Sequence, residues 1–308
     1  MMQAIEYITH GQIDKQRWND VIRRAHNGLA YAYTDFLDAM SPGWDALIAG
    51  NYEAVMPITW RKKMGIRYLC QPAFAQQLGI FSPSSIPPPL VEAFLRKASV
   101  HFRLIEIFLN HGNKTESACI QATNYILDLT PGYDVIRGRY RKDLMKNLTR
   151  AGKFGLMYKA TDDHELAIRT YRSLYSKNLN LRDEDWQQLE KLCSIWISEN
   201  RCLVREVWLG KNTERPDHLL AIGLFLKDEK RLYNIASSTL PNGRTLEANH
   251  FLFDQLIGEF AGTGCILDFE GSDLPGVARF YEKFGPVQQP YFFWKSNRLP
   301  AVLRWWKR

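Results

Sequence analysis

Two strand-like hairpins at matching places in the two halves constrain this chain more than any other feature. In the first half the runs 54–60 and 66–70 flank the basic turn Arg61-Lys62-Lys63-Met64-Gly65. In the second, runs 219–227 and 231–238 flank Asp228-Glu229-Lys230. Before the first hairpin the pattern gives a strand at 4–7, an amphipathic helix at 14–25 with Trp18, Val21 and Ile22 as its apolar stripe, a helix at 33–40 and a strand at 45–49. After it come a proline-led helix near 90–100 and strands at 104–109 and 118–129. The second half repeats the order: a strand at 156–160, helices at 164–178 and 183–199, a strand at 202–209, the hairpin, a helix through Phe251, Leu252, Leu256 and Ile257, and a strand at 265–272. The residues do not repeat, but the order of elements does, so the chain reads as a duplicated α/β (α+β) unit with helices flanking mixed, mostly antiparallel sheets.

Its 308 residues accommodate two domains of about 150 residues each. The turn-rich stretch Asp128-Leu129-Thr130-Pro131-Gly132-Tyr133 sets the expected boundary, giving domains 1–132 and 133–308. With 45% hydrophobic and 24% charged residues, a disordered or collagen-like chain is excluded. No apolar run reaches the roughly 18 residues of a transmembrane helix, and Met1-Met2-Gln3-Ala4-Ile5-Glu6 does not start a signal peptide, so a cytoplasmic location is expected. The five cysteines are widely spaced and read as buried thiols rather than disulfides or metal ligands.

The net charge of +7 is concentrated in one place. Residues 137–153 hold Arg137, Arg139, Arg141, Lys142, Lys146, Arg150 and Lys153 against the single acidic Asp143, a local excess of six. On one helix Lys142, Lys146, Arg150 and Lys153 line one face and Leu144, Met145, Leu148 and Ala151 the other. Such a stripe is either a solvated face or a site for phosphate-rich ligands, such as a coenzyme A pyrophosphate or a transfer RNA backbone. A second anion candidate is the polar turn Asn242-Gly243-Arg244-Thr245, where a helix start offers amides and a positive dipole end, Gly243 permits close approach and Arg244 adds charge. Thr245 as a plain N-cap is the simpler alternative.

The strand Cys265-Ile266-Leu267-Asp268-Phe269-Glu270-Gly271-Ser272 alternates carboxylates with apolar residues, which puts Asp268 and Glu270 on one sheet face. Either can serve as a base toward an amine, or pair with an arginine such as Arg231 or Arg279. His250, alone on its helix, reads as packing. Gln76 and Gln77, in an amide-rich loop of the first half, can hydrogen-bond an acceptor or simply lie at the surface. The tail Leu303-Arg304-Trp305-Trp306-Lys307-Arg308 suits a membrane surface or docking on the chain itself.

The run Ala278-Arg279-Phe280-Tyr281-Glu282-Lys283-Phe284-Gly285 resembles the penultimate helix of the GNAT acyltransferase superfamily. The strand Leu267-Asp268-Phe269-Glu270-Gly271 and the helix Lys146-Asn147-Leu148-Thr149-Arg150-Ala151-Gly152-Lys153 are similar to those of its Fem-type branch, which has two tandem GNAT-like domains. The resemblance implies a transferase that moves an acyl or aminoacyl group from acyl-coenzyme A or aminoacyl-tRNA to an amine by direct attack, with no tightly bound cofactor and no metal. It implies Tyr281 as acid toward the leaving group, Asp268 or Glu270 as base, and donor phosphate at Asn242, Gly243, Arg244 and Thr245 with Lys146 and Arg150. The turn keeps only Gly243 of the superfamily's phosphate-binding pattern, a departure shared by Fem-type members, which take an aminoacyl group from transfer RNA; both donors stay open at this point. The alternative is a catalytically silent GNAT-fold protein that binds nucleic acid or an anionic surface through helix 137–153.

Overall fold

The computed structural model describes residues 4–210, 218–271 and 273–300, so the tail at 303–308 lies outside the described residues. These residues form two compact units, one of residues 4–122 with 290–300, the other of residues 123–289.

In the first unit, β1 (Ile5–Ile8), β2 (Asp45–Ala49) and β3 (Ala54–Ile58) make an antiparallel sheet. Helix α1 (Lys15–Arg24) starts where the Asp14 carboxylate accepts the Arg17 amide, and it buries Trp18, Val21 and Ile22; α2 (Thr34–Met40) follows. The expected strand 54–60 breaks at Thr59, whose hydroxyl donates to the Cys70 carbonyl, and resumes as β4 (Trp60–Lys63) in a second sheet. Arg61, Lys62 and Lys63 therefore belong to a strand. The turn itself is only Met64-Gly65, both at positive φ (49° and 80°), as a two-residue hairpin turn of this kind requires. Strand β5 (Ile66–Cys70) pairs parallel with β6 (Leu104–Leu109) through the crossover helix α3 (Pro88–His101), which buries Val91, Phe94, Leu95 and Ala98 at helical spacing. The last strand among the described residues, β13 (Val287–Asn297), pairs antiparallel with β6 from Phe292 onward.

The second unit contains β7 (Ile120–Asp128), α4 (Tyr133–Arg137), α5 (Lys142–Ala151), β8 (Leu156–Thr161), α6 (His164–Tyr175), α7 (Asp183–Ser198), β9 (Cys202–Leu209), β10 (Leu219–Lys227), β11 (Arg231–Thr239), α8 (Pro241–Thr245), α9 (Ala248–Phe260), β12 (Ile266–Asp268) and α10 (Pro275–Glu282). Its strands run β7-β12-β11-β10-β9-β8, all antiparallel except β11 with β12. Each unit thus sends the second strand of a hairpin through a helix to a parallel neighbour, which is the duplication the element order foretold.

Two expectations change here. The basic segment is not one helix: α4 ends at Arg137, and Gly138–Arg141 separates it from α5, so Arg137, Arg139 and Arg141 do not share the face of Lys142, Lys146 and Arg150. The strand expected at 265–272 stops at Asp268, because Glu270 adopts a left-handed conformation (φ 62°) that a strand cannot continue. No described helix is long and apolar enough to cross a membrane.

Candidate active site

Strands β11 and β12 are paired at only three positions, Arg231↔Ile266, Leu232↔Leu267 and Tyr233↔Asp268. Beyond that point β11 continues to Thr239 while the other strand turns away at Glu270, so the pair opens as a fork. On its other edge β11 carries a bulge: Asn234 faces Phe225 and Ala236 faces Leu224, leaving Ile235 unmatched. Residues three apart on a regular strand face opposite sides. The extra residue brings Asn234 and Ser237 to the same side, and the Ser237 hydroxyl donates to Asn234 Oδ1 at 2.6 Å.

Tyr281, on α10, is buried against Phe269 (ring centroids 4.7 Å apart) and accepts a hydrogen bond from Asn234 Nδ2 at 3.2 Å. Burial, with the charges of Glu270 and Asp268 and the nearby Tyr171, pushes its phenol well above the ordinary value, so it is protonated at physiological pH. Its hydroxyl donates to no described residue.

The two carboxylates differ sharply. Asp268 is buried, lies 2.6 Å from the Arg231 guanidinium, and accepts from Asn124 Nδ2 and from the Glu270 amide, both at 2.9 Å. Burial opposes the charge on Arg231, but the adjacent Asp268 outweighs it and raises its pKa. This is the arginine pairing expected as the alternative to base chemistry. Glu270 is half-buried, sits at the fork, and is close enough for its charge to act on Tyr281.

The phosphate candidates are arranged differently from the sequence expectation. The helix after β11 begins at Pro241, so Thr245 ends α8 instead of capping a helix. Asn242, Arg244 and Thr245 are exposed. Gly243 is buried, and a Cβ there would lie 2.1 Å from the Leu220 carbonyl oxygen, so packing on β10 is what demands glycine. Two residues past Thr245, Glu247 caps α9 in a left-handed conformation (φ 60°) and its buried carboxylate is paired with Arg150. Asn147 Nδ2 donates to it at 2.7 Å and His250 Nδ1 lies 2.8 Å away. His250 Nε2 accepts from Lys283, which reaches Asp143 at 3.4 Å. Lys146, with Met145, Thr149, Arg150 and Lys153, lines an open hollow of about 350 Å³. Among the described residues, Lys142, Lys146 and Lys153 make no ion pair. In the first unit Gln77 is buried, accepts the His111 amide and donates to Gln76, so its side chain is spent within that unit.

Sequence reasoning did not single out Asn234, Ser237 or Glu247. The first two depend on a bulge that only strand pairing reveals. Glu247, three residues before His250, was visible as a signal.

No protein-family model matches the sequence, and no curated protein matches it. Solved structures do match. FemX is similar over 93% of this chain and 96% of that one, at 13% identity and a TM-score of 0.65. The C-terminal domain of a candidate lysylphosphatidylglycerol synthetase from Agrobacterium fabrum covers 94% and 93%, at 12% identity and a TM-score of 0.57. A tandem GNAT protein from the clavulanic acid biosynthesis pathway covers 97% and 100%, at 10% identity and a TM-score of 0.53. The fold is therefore the tandem GNAT-like fold of Fem-type proteins, over nearly the whole chain.

Proposed function

We propose that the second unit is an acyltransferase site that moves an aminoacyl group from an aminoacyl-tRNA to an amine by direct attack. The observation that carries this reading is Tyr281: a protonated phenol beside the β11/β12 fork whose hydrogen has no acceptor among the described residues. The amine nitrogen bonds to the acyl carbon, the bond to the leaving oxygen breaks, and the Tyr281 proton goes to that oxygen. Glu270 takes the proton the amine loses, since Asp268 is committed to Arg231. A phenol above its ordinary pKa matches an alkoxide better than a thiolate, whose conjugate acid lies near about 8.5.

Two further features favour transfer RNA over coenzyme A. The start of α9, where a pyrophosphate would dock, already holds the Glu247 carboxylate on Arg150. Lys142, Lys146 and Lys153, which make no ion pair among the described residues, offer cations to a polyanionic backbone.

Isothermal titration with acetyl-coenzyme A and with bulk aminoacyl-tRNA tests the donor. The RNA is expected to bind, with a log–log salt slope of about −3 if three cations meet phosphates, and the thioester not. In a transfer assay Tyr281→Phe is expected to lose about a hundredfold in kcat with binding unchanged. RNA that binds equally well when uncharged and is never deacylated would leave only the silent nucleic-acid-binding alternative.

A further inference from the structure

We infer that Asn234 is a positioning residue that fixes the direction of the Tyr281 proton, and that Ser237 and the β11 bulge fix Asn234. This rests on the reading of Tyr281 as the acid. The amide orientation follows from the two distances. At 2.6 Å the Ser237 contact has the length of an O–H···O bond, so the serine hydroxyl donates to Oδ1. At 3.2 Å the Tyr281 contact has the length of an N–H···O bond, so Nδ2 donates to the phenol oxygen. With one lone pair of Tyr281 filled by a donor that cannot accept, the phenol hydrogen must point away from Asn234. Asn234 is itself buried, so water does not compete for the amide. A buried hydroxyl whose hydrogen has no acceptor among the described residues is costly, and that cost is relieved by an acceptor arriving at the fork. In the transfer step the C–O bond of the donor ester breaks, the new C–N bond forms, and the tyrosine proton ends on the departing oxygen; Glu270 takes the proton shed by the amine and passes it on to Tyr281, which restores both groups. Asn234 touches neither reacting atom and acts only through Tyr281.

Replacing Asn234 by aspartate changes the amide to an acceptor of nearly the same shape. The phenol hydrogen should then turn to the new carboxylate and be lost to the donor. Expected in a transfer assay from aminoacyl-tRNA is a kcat for Asn234→Asp about a hundredfold below wild type, with KM for the donor little changed. Activity should recover as pH falls and the introduced carboxyl is protonated, and Tyr281→Phe in the same chain should cause no further loss. Ser237→Ala, which frees the amide to rotate, should give a smaller loss in the same direction. Independently of activity, the ¹³Cζ resonance of Tyr281 in tyrosine-labelled protein, assigned by its absence in Tyr281→Phe, should shift in Asn234→Asp and in Asn234→Ala. An unshifted resonance, a wild-type kcat for folded Asn234→Asp, or a loss that multiplies with that of Tyr281→Phe would each overturn the assignment. Wild-type protein that deacylates no aminoacyl-tRNA would instead overturn the donor reading and take this inference with it.

Discussion

His250 is the residue whose surroundings leave the clearest trace in solution. Its Nδ1 lies against the Glu247 carboxylate and its Nε2 accepts from the Lys283 ammonium, an arrangement that needs a neutral ring. Burial, then the charges of Lys283 and Arg150, push its pKa down to about 4 against the opposing pull of Asp143. An unfolded histidine titrates near about 6.5. Between these values the unfolded chain binds more protons, so stability is complete above about pH 6.5 and is lost as pH falls toward about 4. Urea unfolding at pH 6.5 and 4.5 should show wild type losing about 2 kcal/mol more than His250→Gln over that interval. Equal losses would mean that the imidazole is not held neutral. At this scale the sequence was partly legible. Tyr281 stood out through its motif, and Asp268 through its place on an apolar strand. That Asp268 is the carboxylate held by Arg231 and Asn124 was not legible, because these partners lie 37 and 144 residues away. Thr245 was misread because Pro241, with its preset φ, starts a helix one turn earlier.

Among elements, β11 decides the most. Its hairpin with β10 was visible in the apolar runs, whereas its parallel pairing with β12 appears only in the fold. Its bulge was invisible, since Ile235 looks like any strand residue until Phe225 and Leu224 are set opposite it. Deleting Ile235 keeps the facing of every other residue, because Asn234 and Ser237 would then be two apart and still on one side. What is removed is the local bend that a bulge imposes. The deletion variant is therefore expected to unfold cooperatively near the wild-type denaturant midpoint while losing about a hundredfold in transfer rate, as misplacement by about 1 Å can cause. Undiminished transfer would show that the bend is irrelevant to the site. The basic segment teaches a related lesson about helices. Charge spacing suggested one stripe of Lys142, Lys146, Arg150 and Lys153; α5 carries the first three but ends at Ala151, so Lys153 lies beyond the helix, and the arginines before Lys142 lie outside it too.

For the molecule as a whole, the tandem plan was legible because order of elements survives where residue identity does not. The destination of the last strand was not, since nothing in residues 287–297 announces that β6 is their partner. Without those residues, a fragment of residues 1–122 leaves the Leu104–Leu109 edge open beside a large apolar core. Light scattering should find that fragment associating, and appending residues 287–300 through a flexible linker should restore a monomer. A monomeric, cooperatively folding fragment would refute this. The same feature sets a schedule for the growing chain. The first unit emerges early but must wait for the 167 residues of 123–289 before its final strand is made. At about 5–20 residues per second that is on the order of ten to thirty seconds with one flank unguarded, so a chaperone's window of greatest use falls on the half made first.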